Sequence, residues 1–414
     1  MRKTCIALLC LLLWGGCGAA LGERPSDRTI VLATDLHYLS PTLTDYGPRF
    51  MRIIEGADGK ITHYTPQLAR AFVRDMLSLQ PDAVILSGDL TLNGAPASHR
   101  ELTEILRPLV NAGIKVLSLP GNHDTESSAF QFTPDGPVAI AGTPNADFAA
   151  LYADFGYASA LDRDSHSLSY VAELFPDVWA LMLDVNGNSA PGVVTGNTLR
   201  WLEEKLRQAQ QDQITVIGVS HQNVMPHNPL FVTGFAIANY EKVLALYRQY
   251  GVRLNLSGHM HIQHIAQAEG IVEIATESMA VAPCPYGVLR LQGQEALSYD
   301  TKPVDVAGWA LENGETNPDL LNFPAYAADF FERTTRQKST FTSDVIPAED
   351  LQRMIDLVTQ LNVQYFSGTR KPFDGERDIA LWQTYLPRNF TTYYLQTILD
   401  EPARDMNHFS FQEE

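Results

Sequence analysis

Thr29-Ile-Val-Leu-Ala-Thr-Asp35-Leu-His37 reads as an apolar, partly β-branched strand that ends in a carboxylate and an imidazole two residues apart. Four more places in the chain repeat the form. Gly88-Asp89 follows the run Ala83–Ser87, Gly121-Asn122-His123-Asp124 follows Ile114–Leu119, His221 follows Ile214–Ser220, and Gly258-His259-Met260-His261 follows Arg253–Ser257. Between the first two runs, Leu68, Ala69, Phe72, Val73, Met76 and Leu77 share one helical face, and Pro81-Asp82 stops that helix. This alternation predicts an α/β domain. In open α/β sheets the ligand crevice lies beyond the carboxyl ends of the strands, so the five polar clusters are expected to meet there.

Alternate residues of a strand share a face, so Asp35 with His37, and His259 with His261, can each grip one ion while Leu36 turns into the core. Asp89 has two oxygens and can bridge two ions, Asn122 offers a neutral carbonyl oxygen, and His221 an imidazole. Taken singly, an Asp-x-His or Gly-Asp pair is more often a turn or a cap. The order of all five, each at a strand end, is what makes a site of them. An oxygen and nitrogen donor set of this kind suits two adjacent divalent or trivalent metal ions and accepts Mn, Fe and Zn alike. Paired metals are used on phosphate esters because attacking and leaving oxygens need their charge stabilised together.

Ser167–Ala172, Val178–Asp184, Ile271–Ala275, Gly287–Leu291 and Ala296–Tyr299 read as further short strands, enough for a second sheet packed on the first. After Val304 the pattern changes. Leu351, Met354, Ile355, Val358, Leu361 and Tyr365 recur at helical spacing behind Pro347, and helices are expected at Ala325–Arg336, Arg377–Tyr385 and Thr391–Leu399. The expected organisation is therefore a leader over residues 1–22, an α/β domain over 28–305 and a small helical domain over 306–414.

Met1-Arg2-Lys3, an apolar run from Ile6 to Trp14 and small residues from Gly15 to Ala20 form an export signal. Leu13-Trp14-Gly15-Gly16-Cys17 resembles a bacterial lipoprotein box, which implies a lipid on Cys17 and attachment to a membrane outside the cytoplasm. Cleavage after Ala20, giving a secreted protein, is the alternative. Of four cysteines only Cys284 lies beyond this region, between Pro283 and Pro285, and it reads as a small buried or loop residue. The formal charge is −18, and losing Arg2 and Lys3 would make it more negative. Such a body repels polyanions, which excludes duplex nucleic acid as a bulk partner and leaves a small phosphorylated substrate drawn to a local cationic centre.

Over Thr29 to about Val304 the five blocks resemble the calcineurin-like metallophosphoesterase family. The resemblance implies two facing mixed β-sheets flanked by helices. It implies that Asp35, His37 and His261 bind one metal, that Asn122, His221 and His259 bind the other, and that Asp89 bridges them. It also implies in-line attack on phosphorus by a hydroxide held between the metals, with His123 as general acid or phosphate anchor and Asp124 orienting its ring. The runs Thr34-Asp-Leu-His-Tyr-Leu-Ser-Pro41 and Ser87-Gly-Asp-Leu-Thr-Leu-Asn-Gly94, with the helical tail, are similar to a bacterial subgroup of cyclic nucleotide phosphodiesterases. A phosphomonoesterase or nucleotidase with the same centre, and a metal-holding envelope protein of low turnover, are the alternatives. Ser87 and Ser220 read as strand residues, His227 as a loop residue, His264 as a surface or supporting histidine, and His63 and Tyr64 as a solvated loop. Asn93 and Asn223 stand evenly between substrate contact and plain turn roles.

Overall fold

The computed structural model describes residues 28–292, 296–372 and 375–412, so the leader and Cys17 lie outside the described residues. The strands are β1 (Arg28–Ala33), β2 (Ala83–Leu86), β3 (Lys115–Ser118), β4 (Ala129–Thr133), β5 (Gly136–Ile140), β6 (Asp162–Arg163), β7 (Tyr170–Phe175) and β8 (Val178–Leu183). They continue with β9 (Thr215–Ser220), β10 (Leu254–Ser257), β11 (His264–Ala268), β12 (Ile271–Ala275), β13 (Pro285–Gln292), β14 (Ala296–Pro303) and β15 (His408–Gln412). One sheet has the order β15-β14-β13-β1-β2-β3 and the other β11-β12-β10-β9-β8-β7-β6, while β4 and β5 pair only with each other. Both large sheets are mixed. β1, β2 and β3 run parallel, as do β8, β9, β10 and β12, and antiparallel strands complete each sheet.

Strand periodicity shows how the two sheets face each other. Tyr170, Ala172, Ala180 and Met182 join one core with Ile30, Leu32, Val84 and Leu86 of the first sheet. Their neighbours Val171, Leu181 and Leu183 point the other way, onto Leu202, Leu206, Val243 and Leu244 of the helices Gly196–Gln211 and Tyr240–Tyr250. The first sheet is covered by the helix Thr65–Leu79, which buries Leu68, Phe72 and Met76, and by the helix Pro96–Asn111, which buries Leu102, Leu106 and Leu109. Each such side chain contributes about 1.5–3 kcal/mol on burial. The arrangement is the expected pair of facing mixed sheets flanked by helices.

The tail forms the helices Phe323–Ser339, Ala348–Phe366, Glu376–Tyr385 and Phe390–Asp400, matching the helical periodicity. It then adds an element the sequence did not announce. β15 pairs antiparallel with β14, setting Phe409 opposite Tyr299, and so covers an edge that would otherwise expose unpaired backbone groups. Leu320, Phe323, Phe330 and Phe331 from the tail enter the same core as the sheets. No helix among the described residues is long and apolar enough to cross a membrane.

Candidate metal centre

β1, β2 and β3 in one sheet and β9 and β10 in the other deliver their carboxyl ends to one edge of the sandwich, and the candidate residues lie in the loops that follow. β1 stops at Ala33, so Asp35 and His37 are beyond the strand rather than in it. Both take left-handed backbone angles (φ 51° and 45°), as do Asp89 (48°), His259 (68°) and His261 (56°). The i, i+2 pairs converge, but through these turns and not through strand alternation. Leu36 is buried, as expected. The loops are tied crosswise: the Asp35 and His37 N–H groups donate to the Gly88 and Asp89 carbonyls at 3.0 Å each, and the Gly258 N–H donates to the His221 carbonyl at 3.1 Å.

Two overlapping groups of ligand atoms result, each within 4.8 Å: Asp35, His37, Asp89 and His261, and Asp89, His221 and His259. In the first, His37 Nε2 and His261 Nε2 are 3.0 Å apart and Asp35 Oδ1 is 3.2 Å from His261 Nε2. In the second, His221 Nε2 lies 3.2 Å from His259 Nδ1, 3.2 Å from Asn122 Oδ1 and 3.3 Å from Asp89 Oδ1. Asp89 belongs to both groups, its Oδ1 turned to His221 and its Oδ2 standing 3.9 Å from His37 Nε2.

For His221, His259 and Asp35 the other polar atom of the side chain is already engaged. His221 Nδ1 donates to the Ser87 carbonyl at 3.0 Å and His259 Nε2 to the Gly234 carbonyl at 2.7 Å, so each ring is held from behind and turns its other nitrogen toward its neighbour. Asp35 Oδ2 accepts from the His259 N–H (2.9 Å) and the Thr34 hydroxyl (2.7 Å), leaving its buried Oδ1 without a hydrogen-bond donor. A buried carboxylate oxygen without a donor, gathered with imidazole nitrogens and a second carboxylate, is satisfied when a cation lies among them. The residues therefore fit metal ions, and Asp89 belongs to both groups of ligand atoms.

Charge balance points the same way. Burial raises the Asp35 and Asp89 carboxyls, but His221 with His261, and His221 with His123 and His37, outweigh it and leave both below the ordinary carboxylate range. Burial holds His259 down to about 4, with His221 adding to it, and burial with Lys60 puts His37 well below its usual value. Burial also opposes protonation of His221, yet Asp89 and Asp35 pull it up to about 9. The surroundings call for positive charge at that point.

His123 stands at the rim with its N–H donating to Asp89 Oδ1 at 2.9 Å. Its Nδ1 donates to the Leu92 carbonyl at 3.0 Å, which leaves Nε2 on the open side, 3.8 Å from Asp89 Oδ2. Asp124 does not orient this ring, contrary to the expectation. It is buried and accepts from the N–H groups of Leu90, Thr91 and Gly121 and from the Thr91 hydroxyl, all at 2.9 Å, so it joins the β2 exit to the β3 exit.

The remaining candidates have structural partners. Asn93 Nδ2 donates to the Phe130 carbonyl and Asn223 Nδ2 to the Ser257 hydroxyl. His227 and His264 are buried together, Nδ1 to Nδ1 at 2.9 Å, and Cys284 is buried. His63 is also buried, not solvated, because Tyr326 and Phe330 of the tail cover it. Sequence reading missed His99, which is buried and turns Nε2 to the Asp124 carbonyl at 2.9 Å, and the carbonyls of Ser87, Leu92 and Gly234 that fix three rings. Backbone acceptors leave no trace in side-chain identity.

Comparison with known proteins gives two family matches: calcineurin-like phosphoesterase over residues 28–263, and the C-terminal domain of cyclic nucleotide phosphodiesterase over residues 305–405. A cAMP/cGMP dual specificity phosphodiesterase of Mycobacterium tuberculosis is 24% identical over 271 residues, covering 64% of this chain and 70% of that protein. A glycerophosphodiester phosphodiesterase of Enterobacter lignolyticus is 24% identical over 208 residues, covering 50% and 65%. Among solved structures, a dimetal phosphatase from Danio rerio aligns with a TM-score of 0.48 at 15% identity, over 67% of this chain and 96% of that one.

Proposed function

The chain belongs to the calcineurin-like phosphoesterase family and is a metallophosphoesterase, and from that premise we propose that it hydrolyses a small phosphodiester, a cyclic nucleotide, at a centre of two metal ions. The observation that carries the reading is the convergence of two clusters of ligand atoms on the two oxygens of Asp89. Asp35, His37 and His261 would hold one ion, Asn122, His221 and His259 the other, with Asp89 shared. Two cations bound there would make water acidic enough to react near neutral pH and offset charge on the phosphoryl oxygens.

The chain's own residues account for orientation and proton transfer. The ligand rings are set by the carbonyls of Ser87 and Gly234, and the carboxylates by backbone N–H groups, so little reorganisation is left for the moment of reaction. As water loses a proton to solvent and adds to phosphorus and the ester P–O bond breaks, His123 Nε2–H gives its proton to the departing oxygen and takes one back from solvent, while Nδ1 stays tied to the Leu92 carbonyl. The cyclic nucleotide is supported by the tail match over residues 305–405 and by the relative that acts on cAMP and cGMP.

Turnover of 2',3'- and 3',5'-cyclic nucleotides with Mn, Fe and Zn, beside bis(p-nitrophenyl) phosphate and its mono-ester, tests the reading. Hydrolysis of at least one cyclic nucleotide in preference to the mono-ester is expected. A strong mono-ester preference would turn the assignment to a nucleotidase. We also propose, from Met1–Ala20 and Cys17, a lipid-anchored protein outside the cytoplasm. Palmitate labelling that is lost in Cys17→Ala would support it, and labelling of neither form would reject it.

A further inference from the structure

The turn Gly56–Ala–Asp58–Gly–Lys60–Ile61 supplies no ligand atom to the centre as described, yet it is held at two points against different parts of the molecule. Ile61 N–H donates to the Ala280 carbonyl at 2.8 Å. Gly59 has φ +87°, and a Cβ there would stand 2.4 Å from the Phe331 ring and 3.4 Å from the Thr334 hydroxyl, both on the tail helix Phe323–Ser339. The tail helix is thus pressed directly on the turn, with no room for a side chain between them.

Held in this way, Asp58 reaches the centre from outside. Its Oδ2 lies 3.9 Å from His261 Nδ1 and 2.9 Å from Lys60 Nζ. His261 Nδ1 is the nitrogen opposite the one that faces His37 and Asp35. At 3.9 Å the contact is electrostatic rather than a hydrogen bond. The other rings of the centre differ in this respect: backbone carbonyls hold His221, His259 and His123, while His37 Nδ1 is buried without a hydrogen-bond partner. Among the described residues only His261 has a carboxylate behind it on the side away from the ligand cluster. A carboxylate behind a ligating imidazole fixes the ring and makes the inward nitrogen a stronger donor.

We propose that Asp58 is a positioning residue for His261, acting on one of the two metal sites only, and that the tail helix sets it in place through Gly59. Lys60, whose side chain is 11% exposed, balances the Asp58 charge so that the carboxylate can stand beside an already acidic cluster. The proposal rests on the reading of the cluster as a two-metal centre. It gives the tail a defined part in that centre: Phe331 and Thr334 reach it through a single turn.

The test is calorimetric titration of the full apo-protein with Mn2+, with thermal unfolding of the apo form alongside. The unaltered chain is expected to bind two ions. Asp58→Asn should weaken one of them by about 10- to 100-fold, the range for loss of an outer carboxylate partner, and leave the other unchanged. Phe331→Ala, which touches no ligand, should weaken the same ion by a smaller factor. Where Asp58→Asn alone fails to fold because Lys60 is left unpaired, the pair Asp58→Asn with Lys60→Met carries the test and should show the same one-site loss. Equal weakening of both ions, or no weakening of either in a folded variant, overturns the proposal. Fewer than two ions on the unaltered chain would instead remove the two-metal reading beneath it.

Discussion

Asp89 contributes to the centre in three ways: Oδ1 near His221, Oδ2 near His37, and the His123 N–H on Oδ1. Asp89→Asn keeps the shape but replaces one oxygen by an N–H2 donor, which cannot face a cation. We expect it to lose metal pairing, with a fall in kcat of about 1000-fold, a barrier raised by about 4 kcal/mol. His123→Ala removes no proposed ligand and only an edge contact with the His37 ring, so both metals should remain while kcat falls about 100- to 10,000-fold. Metal analysis of the two variants beside their kinetics checks this division, and equal metal loss would undo it. Asp124 makes a third case. Four donors end on its carboxylate in a buried place, and Asp124→Ala would leave them unpaired, so we expect about 3 kcal/mol of lost stability in urea unfolding. His123→Ala should leave the urea midpoint nearly unchanged.

Strand exits can meet this closely only where a side chain is missing. A Cβ on Gly258 would lie 1.9 Å from Thr34 Oγ1 and 2.4 Å from Asp35 Oδ2, and one on Gly121 would lie 2.1 Å from Asp89 Oδ1. Gly258→Ala must therefore part the β10 exit from the β1 exit. Mn2+ titration should show at least a tenfold loss of affinity with every ligand still present, and unchanged affinity would mean that the exits move freely. At this scale much was legible in the sequence. Each parallel strand that feeds the site is a short apolar run halted by a polar cluster, and both marks survive in composition. The conformation after the strand was not legible, because non-glycine residues at positive φ, Asp35, His37, Asp89 and His259 among them, are held there by crosswise hydrogen bonds between distant loops. β15 escaped notice because only Phe409 and Phe411 mark it. The β4–β5 hairpin carried a signal in Pro134-Asp135-Gly136, a turn sequence that went unused.

The molecule as a whole is knit across the expected division at residues 305 and 306. Tyr64 donates to Asp319 at 2.9 Å, His63 lies 2.6 Å from the Tyr326 hydroxyl, and β15 returns to the first sheet. Removing residues 305–414 would uncover the core that Phe323, Phe330 and Phe331 share with the sheets, and we expect an insoluble product. A gentler probe of the same junction is acid. Burial under the tail pushes His63 down to about 4, Asp319 pulling it partly back and Arg333 adding to the fall. In the unfolded chain the same imidazole titrates near 6.5. Between these values the unfolded state binds the extra proton, so stability falls as pH drops below about 6.5, and the loss is complete below about 4. At pH 4 it amounts to about 3 kcal/mol from this one residue. His63→Gln keeps a polar group against Tyr326 but cannot titrate. Other buried histidines titrate in both proteins, so the difference between the two isolates His63. Urea unfolding at pH 7.5, 6.0 and 5.0 should show wild type losing ground to the variant as the pH is lowered. A difference that stays constant across the series would mean that the tail does not keep His63 from protonation.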